Sequence, residues 1–75
     1  MTEEQYTLLS PYKNDLEEWC VKQSNVNGIK IRAIWQIRSQ FDQYLKPLNY
    51  SCYNCVNAFM HETFNILRKH ESTIS

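Results

Sequence analysis

Glycine occurs once in the 75 residues and proline twice. That scarcity excludes a glycine-rich phosphate loop, a collagen-type repeat and a flexible linker. Net charge is missing as well, since eight Lys and Arg offset eight Asp and Glu. No apolar run approaches the length of about 18 residues needed to cross a bilayer, so a membrane span is not expected. The opening Met1-Thr2-Glu3-Glu4-Gln5 is acidic where a secretory leader is basic and then apolar, which points away from export. Cysteine is confined to Cys20, Cys52 and Cys55. An odd number without an export signal favours reduced thiols in a cytoplasm-like compartment over a disulfide framework. What is present is an ordinary globular mixture, 43% hydrophobic and 21% charged, too apolar for a disordered tail. The length allows one domain, residues 1–75. A chain of this size buries only about 60% of its unfolded surface, so a metal or a partner subunit is a natural source of further support.

The hydrophobic periodicity predicts an all-α fold of three helices, near residues 11–23, 29–46 and 51–70. Thr2-Glu3-Glu4-Gln5 has capping-box spacing and predicts a short, loosely attached N-terminal helical turn. Ser10-Pro11 is a start signal for the first long helix, with serine as cap and proline at the first helical position. Tyr12, Leu16, Trp19 and Cys20 recur on one face, joined by Leu9 if the helix is continuous. Ser24-Asn25-Val26-Asn27-Gly28 ends it with residues that favour turns and left-handed backbone. In the second helix Ile34, Ile37, Phe41, Leu45 and Leu48 share a face, closed by Pro47. Ser51 is the expected cap of the third. Short connections between neighbours then give an up-down-up bundle.

The third helix has the widest apolar arc. Cys52, Tyr53, Cys55, Val56, Phe59, Met60, Phe64, Ile66 and Leu67 span about half the circumference at 100° per residue. Such an arc needs cover from two sides. Either both companion helices touch it, or one margin, formed by Tyr53, Met60 and Phe64, meets another chain; aromatics and methionine are enriched at such contacts. Arg38 falls at the edge of the second helix's apolar face, beside Trp35. It either lays its stem across the core and pairs with Asp42, or joins Trp35 in a binding hot spot.

Cys52-Tyr53-Asn54-Cys55 is the one recognisable chemical motif. A helix N-terminus stabilises thiolate, which serves both nucleophiles and zinc ligands. Thioredoxin-like chemistry would need a βαβ context that the chain lacks. Zinc needs four ligands. His61 points away from Cys52 on the same helix, and His70 lies about 27 Å along it. Cys20, in an up-down-up bundle, is far away. Only Cys52 and Cys55 from two chains could complete a site; otherwise the cysteines are small apolar residues. Catalysis has no support. His61-Glu62 is not followed by the second histidine of H-E-x-x-H, and no cysteine or serine shares a helical face with a nearby histidine.

Charge is uneven along the chain. Residues 1–23 are acidic through Glu3, Glu4, Asp15, Glu17 and Glu18, while residues 24–48 are basic through Lys30, Arg32, Arg38 and Lys46. Antiparallel neighbours of opposite sign would partly neutralise one another. The alternative is a nucleic-acid reader with Lys30, Arg32 and Lys46 on phosphates and Gln36, Ser39, Gln40 or Gln43 at base edges; zero net charge counts against it. The sequence therefore leads to a non-catalytic protein–protein interaction module: a small subunit, adaptor or inhibitor. Its Asn-, Ile- and Tyr-rich composition also suits a phage or viral accessory or virion protein.

Overall fold

The computed structural model describes residues 2–74; Met1 and Ser75, the ends of the expected domain, lie outside the described residues. The fold is all-α, with three helical segments. The first is bent: α1 (Glu3–Leu9) continues through a 3₁₀ turn (Ser10–Tyr12) into α2 (Lys13–Cys20). The second is α3 (Gly28–Phe41) and the third is α4 (Tyr53–Ile74).

Local chemistry accounts for most of the ends. Thr2 and Gln5 form the expected capping box, with the Gln5 N–H donating to Thr2 Oγ1 at 3.2 Å and the Thr2 N–H to Gln5 Oε1 at 2.9 Å. Ser10 does not cap a new helix. Its hydroxyl donates back to the Thr7 carbonyl at 3.2 Å, so Ser10-Pro11 is a tightened joint inside one helical segment. The first segment stops at Cys20 because Gln23 takes φ 56°, in the left-handed region. The Ser24 N–H then donates to the Glu18 carbonyl at 2.9 Å. Gly28, expected as the terminator, instead opens α3 behind the Asn27 cap, whose side chain accepts from the Ile29 N–H at 2.9 Å. The second helix ends at Phe41 rather than near residue 46. Asp42 leaves helical geometry and accepts the Tyr44 N–H at 3.1 Å, a local turn that competes with the helix.

The expected up-down-up order is not the one found. Tyr6 Oη donates to Glu71 Oε2 at 2.7 Å near the end of α4, while Trp19 Nε1 donates to Asn57 Oδ1 at 3.0 Å near its start. The first segment and α4 are therefore antiparallel. So are the first segment and α3, since Lys30 at the start of α3 pairs with Asp15 at 2.9 Å. At its other end, Gln40 and Phe41 share a cleft with Gln5 and Leu8. It follows that α3 and α4 run in the same sense, joined by the crossover 42–52. This loop travels back along α3: Trp35 Nε1 donates to the Lys46 carbonyl at 3.1 Å, and the Arg32 guanidinium lies 4.8 Å over the Tyr50 ring.

This path also closes the core. Leu9, Leu16, Ile31, Ile34, Val56, Phe59, Met60, Phe64 and Leu67 are buried, with Leu45 and Leu48 of the crossover packed against them. The N-terminal turn is part of this core rather than a loose appendage, since Leu9 is fully buried. Each fully buried side chain of this size contributes about 1.5–3 kcal/mol relative to exposure.

Candidate interaction surface

The half-circumference arc of α4 is covered mainly from within. Met60 and Phe64 are buried among the chain's own residues, which corrects the expectation that they meet a partner. The cover comes from the first helical segment: Met60 and Phe64 share the face of α4 that carries Asn57 and Glu71, the partners of Trp19 and Tyr6. Tyr53 behaves differently. It lies before the region where the arc is enclosed, stays 67% exposed, and packs one side of its ring on Trp19 at 5.7 Å between centroids.

Arg38 is also an interior residue, 2% exposed. Its Nη1 donates to Thr63 Oγ1 at 3.2 Å, and its Nη2 donates to Glu62 Oε1 at 3.1 Å and to Asp42 Oδ2 at 3.4 Å. The guanidinium carbon lies 5.4 Å from the centre of the Phe59 ring. Arg38 thus ties α3 to α4 and is withdrawn from any partner. Trp35 is half-buried with its ring N–H spent on the crossover.

Other apolar residues are exposed at the end where α2 stops and α3 and α4 begin. Val21 follows α2, Ile29 lies in the first turn of α3, and Tyr50 and Tyr53 flank the start of α4; all four are exposed. The contacts Trp19–Tyr53 and Arg32–Tyr50 gather these segments at one end of the molecule. Of this group the sequence singled out Tyr53 alone, although Ile29 carried a signal. Ile29 and Ile31 are two positions apart and point to opposite sides of a helix, so the burial of Ile31 forces Ile29 outward. Val21 and Tyr50 carried no such signal, because their exposure depends on where the loops run.

Two of the cationic residues weighed for nucleic acid are engaged within the chain. Lys30 pairs with Asp15, Arg32 covers Tyr50, and Lys46 stands on the crossover. The Lys30–Asp15 contact is a point at which the acidic first segment and basic second segment neutralise one another. Cys52 and Cys55 do converge, with their sulfurs in contact. Among the described residues, no group of three or more His, Cys, Asp or Glu is arranged to hold a metal ion. No helix among them is long and apolar enough to cross a membrane.

At the opposite end of α4, Glu71 accepts from Lys13 Nζ at 2.6 Å and from Tyr6 Oη at 2.7 Å. The hydrogen bond from Lys13, followed by that from Tyr6, holds the Glu71 carboxyl below its usual range. The same carboxylate raises Lys13 and Tyr6 above theirs, chiefly through the hydrogen bond in each case. Comparison with protein families, curated proteins and solved structures finds no match for this chain.

Proposed function

We propose that the chain is a non-catalytic protein–protein interaction module, a small subunit, adaptor or inhibitor. It presents the end formed by Val21, Ile29, Tyr50 and Tyr53 to another protein chain, a second copy or a different one. The observation that supports this reading is the contrast between a core that closes on itself and the large apolar residues left outside it. Among the described residues, four of these six stand at this end, and Leu8 and Tyr44 stand elsewhere. Single exposed hydrophobics are ordinary on a protein surface, whereas a group of them rimmed by polar residues is a feature of contact sites. Lys22 and Lys30 adjoin Val21 and Ile29 in the chain, and Arg32 lies over the Tyr50 ring. Three unpaired cysteines fit a reducing, cytoplasm-like compartment.

The test is site-specific photo-cross-linking in the producing cell. A photoreactive residue at position 29 or 53 is expected to give a discrete protein adduct, while one at the exposed, charged position 69 is not. Ile29→Ser combined with a photoreactive residue at position 53 should weaken that adduct. Equal labelling at positions 29, 53 and 69, or none at any of them, would overturn the reading. If the adduct is a dimer of this chain, light scattering should report a mass above one chain that persists in high salt.

A further inference from the structure

The cysteine motif brackets Tyr53 of the apolar contact surface, and its own geometry supports a chemical role. Cys52 stands in the capping position of α4, a helix of 22 residues. Its carbonyl accepts the Val56 N–H at 3.0 Å, and its sulfur accepts the Cys55 N–H at 3.3 Å. The Cys55 thiol, one turn on and exposed, lies against the same sulfur as a donor. Two thiols in direct contact, with one sulfur receiving a backbone N–H and the other open to solvent, form a paired nucleophile and resolving group. The hydrogen bond from the Cys55 thiol, helped by backbone N–H groups, lowers the Cys52 thiol below its ordinary range and raises Cys55. Cys20 differs in every respect. It lies at the C-terminal end of α2, is half-buried, and burial pushes its thiol up.

We propose that Cys52 and Cys55 form a thiol–disulfide exchange site for small-molecule disulfides, with Cys52 as attacking thiolate and Cys55 as resolving thiol. In the first step Cys52 Sγ attacks one sulfur of the disulfide, a mixed disulfide forms, and the other half leaves as a thiolate. In the second, Cys55 gives up its proton and attacks Cys52 Sγ, closing the Cys52–Cys55 bond and expelling the second half. The two protein thiols lose two electrons and two protons in all. The small-molecule disulfide is reduced to two thiols. The new bond lies within the first turn of α4, so the helix need not be dismantled.

The probe is oxidised glutathione, applied to the reduced full chain carrying Cys20→Ser, with intact-mass detection. The expected product is a monomer lighter by two hydrogen atoms and free of glutathione. Adding Cys55→Ser should trap one glutathione on Cys52. Adding Cys52→Ser should slow the reaction several-fold, because the remaining thiol is the poorer nucleophile. Circular dichroism confirms the helices of each variant. Should Cys52→Ser unfold, the Cys55→Ser arm decides alone, since that residue is exposed. A stable glutathione adduct on the chain that keeps both cysteines would overturn the proposal. So would covalent dimers, absence of reaction, or failure of folded Cys55→Ser to trap glutathione.

Discussion

Replacing Arg38 separates what its charge contributes from what its stem contributes. The guanidinium is almost wholly buried, yet its two carboxylate partners reach into water, with the Glu62 side chain 62% and the Asp42 side chain 35% exposed. Partners so exposed give about 0–1 kcal/mol each. The bond to buried Thr63 adds about 1–3 kcal/mol. Against this stand the desolvation of the cation, several kcal/mol, and a buried Nε with no acceptor, about 1–3 kcal/mol. The charge therefore contributes little or nothing net. The hydrocarbon stem packs within the core and so carries the stabilisation. Arg38→Met keeps most of that volume, strands no polar group, and leaves Thr63 its bond to the Phe59 carbonyl at 2.9 Å. It is expected to fall within about 1 kcal/mol of the wild type, or to exceed it. Arg38→Ala removes the stem and should cost about 2–4 kcal/mol. Urea unfolding followed by helical circular dichroism measures both. An Arg38→Met variant as unstable as Arg38→Ala would refute this reasoning and assign the stabilisation to the ion pairs.

Two further expectations concern the backbone and the acid limb. Gln23 holds a left-handed conformation that costs an ordinary residue about 1–2 kcal/mol; Gln23→Gly should therefore raise stability by up to about 1 kcal/mol, and a lower urea midpoint would contradict the strain argument. Because the Glu71 carboxyl titrates lower in the folded chain than in the unfolded one, its contribution is present above about pH 4.3. It is lost as pH falls through the folded value. The melting temperature of Glu71→Gln should trail the wild type at neutral pH and converge with it in acid; a gap that persists unchanged in acid would show that the carboxylate charge is not the cause.

Helix content and core were largely legible because they depend on local periodicity. Leu16, Ile34, Val56, Phe59 and Leu67 announce their buried faces by spacing, and Thr2-Glu3-Glu4-Gln5 announces its own cap. The direction of α4 was not legible, for a definite reason. A second helix running to residue 46 leaves too short a connection for anything except an antiparallel neighbour. Stopping that helix at Asp42 frees residues 42–52, whose reach of more than about 30 Å exceeds the length of α3, about 21 Å. One side-chain turn at Asp42 thus decides the topology. It also sets the sense in which α4 lies against the first segment, on the face that holds Met60 and Phe64. Tyr53 lies at the open end of that face. Gln23 could not have been anticipated, since glutamine has no special ease in left-handed backbone.

Because α3 and α4 share a direction, their peptide dipoles reinforce at one pole of the molecule and are opposed there only by the shorter α2. Two positive helix starts, each equivalent to about half an elementary charge, sit beside Ile29, Tyr53 and the cysteine pair. A molecule neutral in its formal charges is in this way electrically lopsided. Any surface that settles on that pole gains by bringing carboxylates to ring its greasy centre.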